Sequence, residues 1–143
     1  MDNIENYSQE IQVKVGSKTS FKALNEGLND WWGTISNASF ELHGEFTITF
    51  DNGYWWRFKI IEFTPNEKLT WKCANGEPEF NKEWIGHELH WTISQESDQT
   101  SINFCQIGLT LHLHCYSVCS STWDMFIIQK LKSYLNETIF NST

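Results

Sequence analysis

The stretch "NGYWWRFKIIEF", Asn52 to Phe63, decides how the rest of the chain is read. Tyr54, Trp56, Phe58 and Ile60 alternate with Trp55, Arg57 and Lys59, the two-residue period of a strand with one buried face. Trp56 is therefore expected inside. Trp55 is expected on the outer face, where a second copy or a partner could cover it. The doublet Ile60-Ile61 breaks the alternation and predicts a bulge. Just before the strand stands "DNG", Asp51 to Gly53, a tight-hairpin signal. Before that, "GEFTITF" sets Phe46, Ile48 and Phe50 against Thr47 and Thr49. The two runs make an antiparallel hairpin with an aromatic inner face.

Working outward, the same period recurs. "LTWKC" turns Leu69, Trp71 and Cys73 inward. "GHELHWTIS" does so with His87, Leu89, Trp91 and Ile93, and "TSINFCQIGL" with Ile102, Phe104 and Gln106. "ANGEPEFNKEW" reads as a loop. Upstream, "EIQVKV", Glu10 to Val15, is a first strand. Two short helices follow it. One is capped by Ser17 or Ser20 and ended by Gly27, and one runs from Leu28 to Trp32 before Gly33. Downstream the period changes. Trp123, Phe126, Ile127, Lys130, Leu131, Tyr134 and Leu135 recur every three or four residues, which predicts a long amphipathic helix from Ser117 to Thr138. An apolar sheet face and an apolar helix stripe must cover each other. The expected class is α+β: about six curved antiparallel strands around a long C-terminal helix.

The chain has 143 residues, which suits one domain over 1–143. Eight Trp and ten Phe point to a wide interior of large side chains. A net charge of −8 without a Lys/Arg stripe argues against nucleic acid and against anionic membrane surfaces. No apolar run is long enough to span a bilayer. The polar, acidic start "MDNIENYSQE" does not resemble a targeting segment, so a cytoplasmic location is expected, with Cys73, Cys105, Cys115 and Cys119 as reduced thiols.

The order of elements resembles the helix-grip fold of the START-like (SRPBCC) superfamily. Within it, the chain is most similar to the branch named after the activator of the ATPase of the 90-kDa heat-shock chaperone. "LNDWWG" (Leu28–Gly33), "RFKIIEFTPNEKLTWKC" (Arg57–Cys73) and "STWDMFIIQKLKSYL" (Ser121–Leu135) carry the likeness. The resemblance implies a hydrophobic cavity between sheet and long helix, in a superfamily whose members bind lipids, sterols, polyketides or hormones. Some members are polyketide cyclases or dehydratases, and some stimulate the chaperone ATPase. It implies no shared catalytic set and no cofactor. Glycines expected before the last helix are replaced by "TLHLHCYSVCSS".

The candidate cavity wall is Trp32, Trp56, Phe58, Trp71, His87, Trp91, Phe104, Gln106, Trp123 and Ile127. A stack of stiff indoles is hard to pack without gaps, and a small apolar or aromatic molecule would fill them. Each residue could equally be plain core. His87 and Gln106, the polar pair with inward parity, read either as a satisfied core pair or as groups that orient a ligand. His87 could also act as an acid or base. "HELH", His87 to His90, has the wrong spacing for a zinc protease helix and puts its two imidazoles on opposite strand faces. His112, His114, Cys115 and Cys119 supply four zinc-type donors, but at a spacing that matches no common module, so buried thiols in a loop are expected. The leading expectation is a ligand-binding protein. An interaction module around Trp55, for a chaperone or a homodimer, and a cyclase-like enzyme using His87 are the alternatives.

Overall fold

The computed structural model describes residues 5–97, 99–113 and 115–141, the last four by backbone alone. Seven strands form one antiparallel sheet: β1 (Tyr7–Val13), β2 (Thr34–Ser36), β3 (Glu45–Thr49), β4 (Trp55–Thr64), β5 (Lys68–Glu77), β6 (Glu88–Glu96) and β7 (Gln99–Ile107). Their spatial order is β1-β7-β6-β5-β4-β3-β2. Between β1 and β2 lie α1 (Ser17–Asn25) and a 3₁₀ turn (Leu28–Asp30). A four-residue helix, α2 (Glu79–Lys82), joins β5 to β6. The chain closes with one continuous helical run. It comprises α3 (Tyr116–Asp124), a π-helical segment (Met125–Leu131) and α4 (Lys132–Asn141). This is the helix-grip architecture.

The hairpin reading of Asn52 to Phe63 holds in detail. Phe46 pairs with Phe58 and Ile48 with Trp56. The β4–β5 register slips between Ile60 and Glu62, where the doublet predicts a bulge, and again between Arg57 and Phe58. Trp56, Phe58 and Ile60 are buried; Trp55 is half-buried, with the Arg57 guanidinium 5.9 Å from its ring centre. A cation over an indole face shields part of that surface from water.

Several expectations need correction. The first strand begins earlier, at Tyr7, because its register with β7 extends to Gln106. β2 is an additional short edge strand. The segment read as a loop after Cys73 instead continues β5 to Glu77 and then turns through α2. There, Gly76 sits opposite Trp56; a β-carbon on it would lie 2.9 Å from the indole Cδ1. The glycine lets the strand continue beside a tryptophan. Neither Ser17 nor Ser20 caps α1 through its side chain: Gly16 holds the cap position, and Ser20 Oγ donates back to the Gly16 carbonyl.

The helix docks by Cys119, Trp123, Ile127, Leu131 and Leu135, all buried and spaced by four. Each fully buried aliphatic among them stabilises the docking by about 2 kcal/mol. A regular α-helix has 3.6 residues per turn, so a strict four-residue stripe rotates away from the sheet by roughly 40° per step. The wider π turn at Met125–Leu131 takes up that drift and keeps the stripe facing inward.

Candidate functional site

A pocket of about 560 Å³ opens at one end of the sheet–helix layer. Three elements build it. The β3–β4 hairpin contributes Phe50, Asn52, Tyr54 and Trp56. The α2 turn and the residues after it contribute Phe80, Asn81 and Trp84. The first half of the closing helix contributes Val118, Cys119, Thr122, Trp123, Met125 and Phe126, and Trp32 completes the wall. The π segment begins at Met125, so its first two residues lie on this wall. At the mouth, Tyr54, Phe80 and Val118 are 40%, 37% and 58% exposed, whereas Trp32, Trp84 and Trp123 are almost fully covered.

The indoles form a near-parallel row. Trp56 stacks on Trp84 at 4.1 Å and 15°, Trp84 on Trp123 at 5.9 Å and 12°, and Trp123 on Trp32 at 5.2 Å and 30°. Trp32 in turn stacks on Trp71, deeper in the core. No carboxylate, ammonium, guanidinium or imidazole lines the pocket among the described residues. Such a space favours uncharged apolar guests, because an ion would lose its hydration without gaining a partner.

The ten wall residues expected from the sequence divide. Trp32, Trp56 and Trp123 are on the wall. Phe58, Trp71, Trp91, Phe104 and Ile127 are not: they are sealed in the core at 0–1% exposure, where the rings pack at 4.4–5.9 Å from one another. The space under the middle of the helix is thus filled by the protein's own side chains. His87 and Gln106 also lie off the wall and form a satisfied core pair. Gln106 is fully buried; its Oε1 accepts from Trp123 Nε1 at 2.8 Å, and its Nε2 faces His87 Nδ1 at 3.0 Å. The Trp123 N–H fixes which end of the amide faces which partner. Gln106 must donate to His87, so Nδ1 must be an unprotonated acceptor. Burial likewise pushes the His87 pKa below its ordinary value, with the Glu83 charge opposing it.

The other polar motifs separate too. His90 lies on the opposite face from His87, against Glu88 and Thr70. His112 is exposed while Cys115 and Cys119 are buried, and His114 lies outside the described residues. Among the described residues no cluster of three His, Cys, Asp or Glu has metal-holding geometry. The Cys115 and Cys119 thiols are free, and a hydrogen bond between them raises the Cys119 pKa and lowers that of Cys115. The Trp84 indole N–H near them is buried without a hydrogen-bond partner among the described residues.

Residues 21–136 match the family described as Activator of Hsp90 ATPase homolog 1-like protein. The chain belongs to that family. Among solved structures, it is similar to the solution structure of the Aha1 dimer from Colwellia psychrerythraea, with a TM-score of 0.77 and 24% identity over 92% of this chain and 96% of that one. It is also similar to protein MLL2253 from Mesorhizobium loti, at TM-score 0.74 and 16% identity over 92% and 98% of the two chains. A third is CalU16 from Micromonospora echinospora, at TM-score 0.68 and 13% identity over 93% and 84%. At these identities the likeness is one of fold. No curated protein matches.

The pocket lies between the sheet and the closing helix, where the resemblance to the START-like superfamily implies a cavity. The sequence reading missed the α2 segment, which brings Phe80, Asn81 and Trp84 to the wall. "EFNKEW" did carry a signal: Phe80 and Trp84 are four apart, one face of a helical turn. The cis Glu77–Pro78 peptide precedes that turn.

Proposed function

We propose that this chain, one START-like domain over 1–143, is a binding protein for a small apolar or aromatic molecule held at the end of the sheet under the first half of the closing helix. The observation that carries this reading is the 560 Å³ indole-walled pocket, whose size falls in the range of small-molecule sites. Its uncharged wall favours binding over acid–base chemistry. A cyclase-like role for His87 loses its support, because that imidazole lies off the pocket and is engaged by Gln106. The proposed site is Trp32, Trp56 and Trp123 from the sequence reading, joined by Trp84, Phe80, Asn81 and Phe126.

Native mass spectrometry of freshly purified protein tests the proposal. A co-purified mass of a few hundred daltons, displaced by naphthalene derivatives, is the expected result. A bare protein that no apolar probe stabilises or quenches would overturn it.

A second reading rests on family membership. The outer face around Trp55 and Arg57 would serve as an interaction surface for a chaperone or for a second copy, a reading supported by family membership and by the similar Colwellia structure being that of an Aha1 dimer. Light scattering and a pull-down against the 90-kDa chaperone, each repeated with Trp55→Ala, test it. Loss of association in that variant is expected, and an unchanged result removes the idea.

A further inference from the structure

The pocket wall is tied to a titratable group that lies outside it. Trp123 stands in the indole row between Trp84 and Trp32, and its N–H donates to Gln106 Oε1 at 2.8 Å. The other end of the same amide donates from Nε2 to His87 Nδ1 at 3.0 Å. Gln106 is fully buried, so water does not replace either bond. His87 is only half-buried, which leaves it open to a proton. Among the described residues, the charge acting on the imidazole is that of Glu83, after α2, which favours protonation against the effect of burial. β7 sets uncharged Gln106 and Gly108 against the ring, and a β-carbon on Gly108 would fall 2.4 Å from its Cδ2. β5 approaches through Cys73. Its N–H donates to the His87 carbonyl, and burial pushes its thiol up to about 12, so that group stays neutral. The closing helix contributes uncharged Trp123, through Gln106.

A proton on Nδ1 would set an N–H against the Nε2 hydrogens of Gln106. The amide can answer by turning over and offering Oε1 to the imidazolium, a charge-assisted bond roughly twice as strong as the neutral one it gives up. Its NH₂ group then meets the Trp123 N–H, donor against donor, and the indole must move. Turning the imidazole out to solvent instead strands the buried Nε2 and forfeits that bond, so the flip is the better response. We infer that a proton on His87 and a guest in the pocket exclude each other, with Gln106 as the positioning residue that links them. Neutral His87 holds Trp123 in the wall that a guest needs. This inference deepens the ligand-binding reading above and rests on it.

The test is binding of 2-naphthalenemethanol, which carries no charge across the range, to the full chain by tryptophan quenching at about pH 7.5 and about pH 5. Far-UV circular dichroism confirms the fold at both. The expected result is a severalfold loss of affinity at the lower pH, no steeper than about tenfold per pH unit because one proton is exchanged. His87→Asn keeps an acceptor for Gln106 but does not titrate, and its affinity should be flat across the same range. Reciprocity supplies a second readout on the unaltered protein, which decides should that variant not fold: saturating probe should lower the His87 pKa in NMR titration. If the probe binds equally at both pH values, leaves the His87 pKa where it was, or keeps its pH dependence in His87→Asn, the coupling is wrong while the pocket reading stands. If it binds at neither pH up to its solubility limit, the pocket reading falls and the coupling with it.

Discussion

Replacing Gln106 by Leu isolates the contribution of a single buried amide. Leucine nearly matches the volume, so the perturbation is mainly loss of two hydrogen bonds. Trp123 is 2% exposed, and its N–H would lose its acceptor with no water to replace it. An orphaned buried donor costs about 1–3 kcal/mol. His87 is half-buried, and its Nδ1 can turn to solvent, so that side adds no more than about 1 kcal/mol. The expected destabilisation is therefore about 2–3 kcal/mol, or a fall of roughly 1–2 M in the urea midpoint at the slope usual for small proteins. Unfolding followed by tryptophan emission measures it, because Trp123 sits within the indole row. Removing the second partner as well should be less harmful than the two single changes suggest. In Gln106→Leu with Trp123→Phe, no donor is stranded, so the double variant should fall short of the sum of the singles. A Gln106→Leu protein within 0.5 kcal/mol of the parent, or strict additivity in the double variant, would refute the assigned network.

Three further outcomes follow from the same geometry. Because His87 is held neutral and its folded-state pKa lies below the ordinary 6.5, the unfolded chain takes up a proton that the folded chain refuses. Stability should be full above that ordinary value and fall as pH drops through it, by at most about 1.4 kcal/mol per pH unit, levelling off below the folded-state pKa. His87→Asn should remove that slope in urea titrations between pH 7 and 5. Trp84→Ala deletes an indole stacked 4.1 Å from Trp56 and should cost about 3–5 kcal/mol. Millimolar indole should restore part of the melting temperature by filling the gap, and no response would show that the stack collapses into the space instead of leaving it open. Gly108→Ala meets a positive φ of 113° and a β-carbon position 2.4 Å from the His87 ring. It should lower the melting temperature and raise the His87 pKa in NMR titration, because the ring must leave Gln106.

What the sequence reveals divides along the range of the forces involved. The alternation in "YWWRFKI" fixes which face of β4 is buried, since a strand has only two faces and the doublet Ile60-Ile61 marks where it must slip. The helix was equally legible, although its true stripe, Cys119 to Leu135 in steps of four, was hidden within a looser three-or-four pattern. Lys130, counted in that pattern, is exposed. The pocket was less legible. Parity says that Trp71, Trp91 and Phe104 point inward, but whether inward-facing rings close on one another or leave space depends on pairwise distances that no period encodes. Trp91 and Phe104 approach to 4.4 Å and fill the middle of the layer. The wall residues contributed by α2 were lost for a different reason: four residues after a proline are too few to establish a helical period.

The location of the gap follows from the two ends of the closing helix. Toward Leu131 and Leu135 the helix contributes aliphatic side chains that nest against the sheet and leave little space. Toward Cys119 and Trp123 it presents a large ring and small polar residues to the end of the sheet lined by Trp56 and Phe50, and two planar walls cannot interdigitate as branched aliphatics do. The π segment begins between these two zones, at Met125, and sets Phe126 against Phe50 at 6.1 Å. Unwinding it to a regular α-helix would rotate either the aliphatic stripe or the pocket wall out of position. The same irregular turn that aligns the stripe therefore also shapes the pocket wall, and a change that straightens it should weaken docking and, on the proposed function, ligand binding with it.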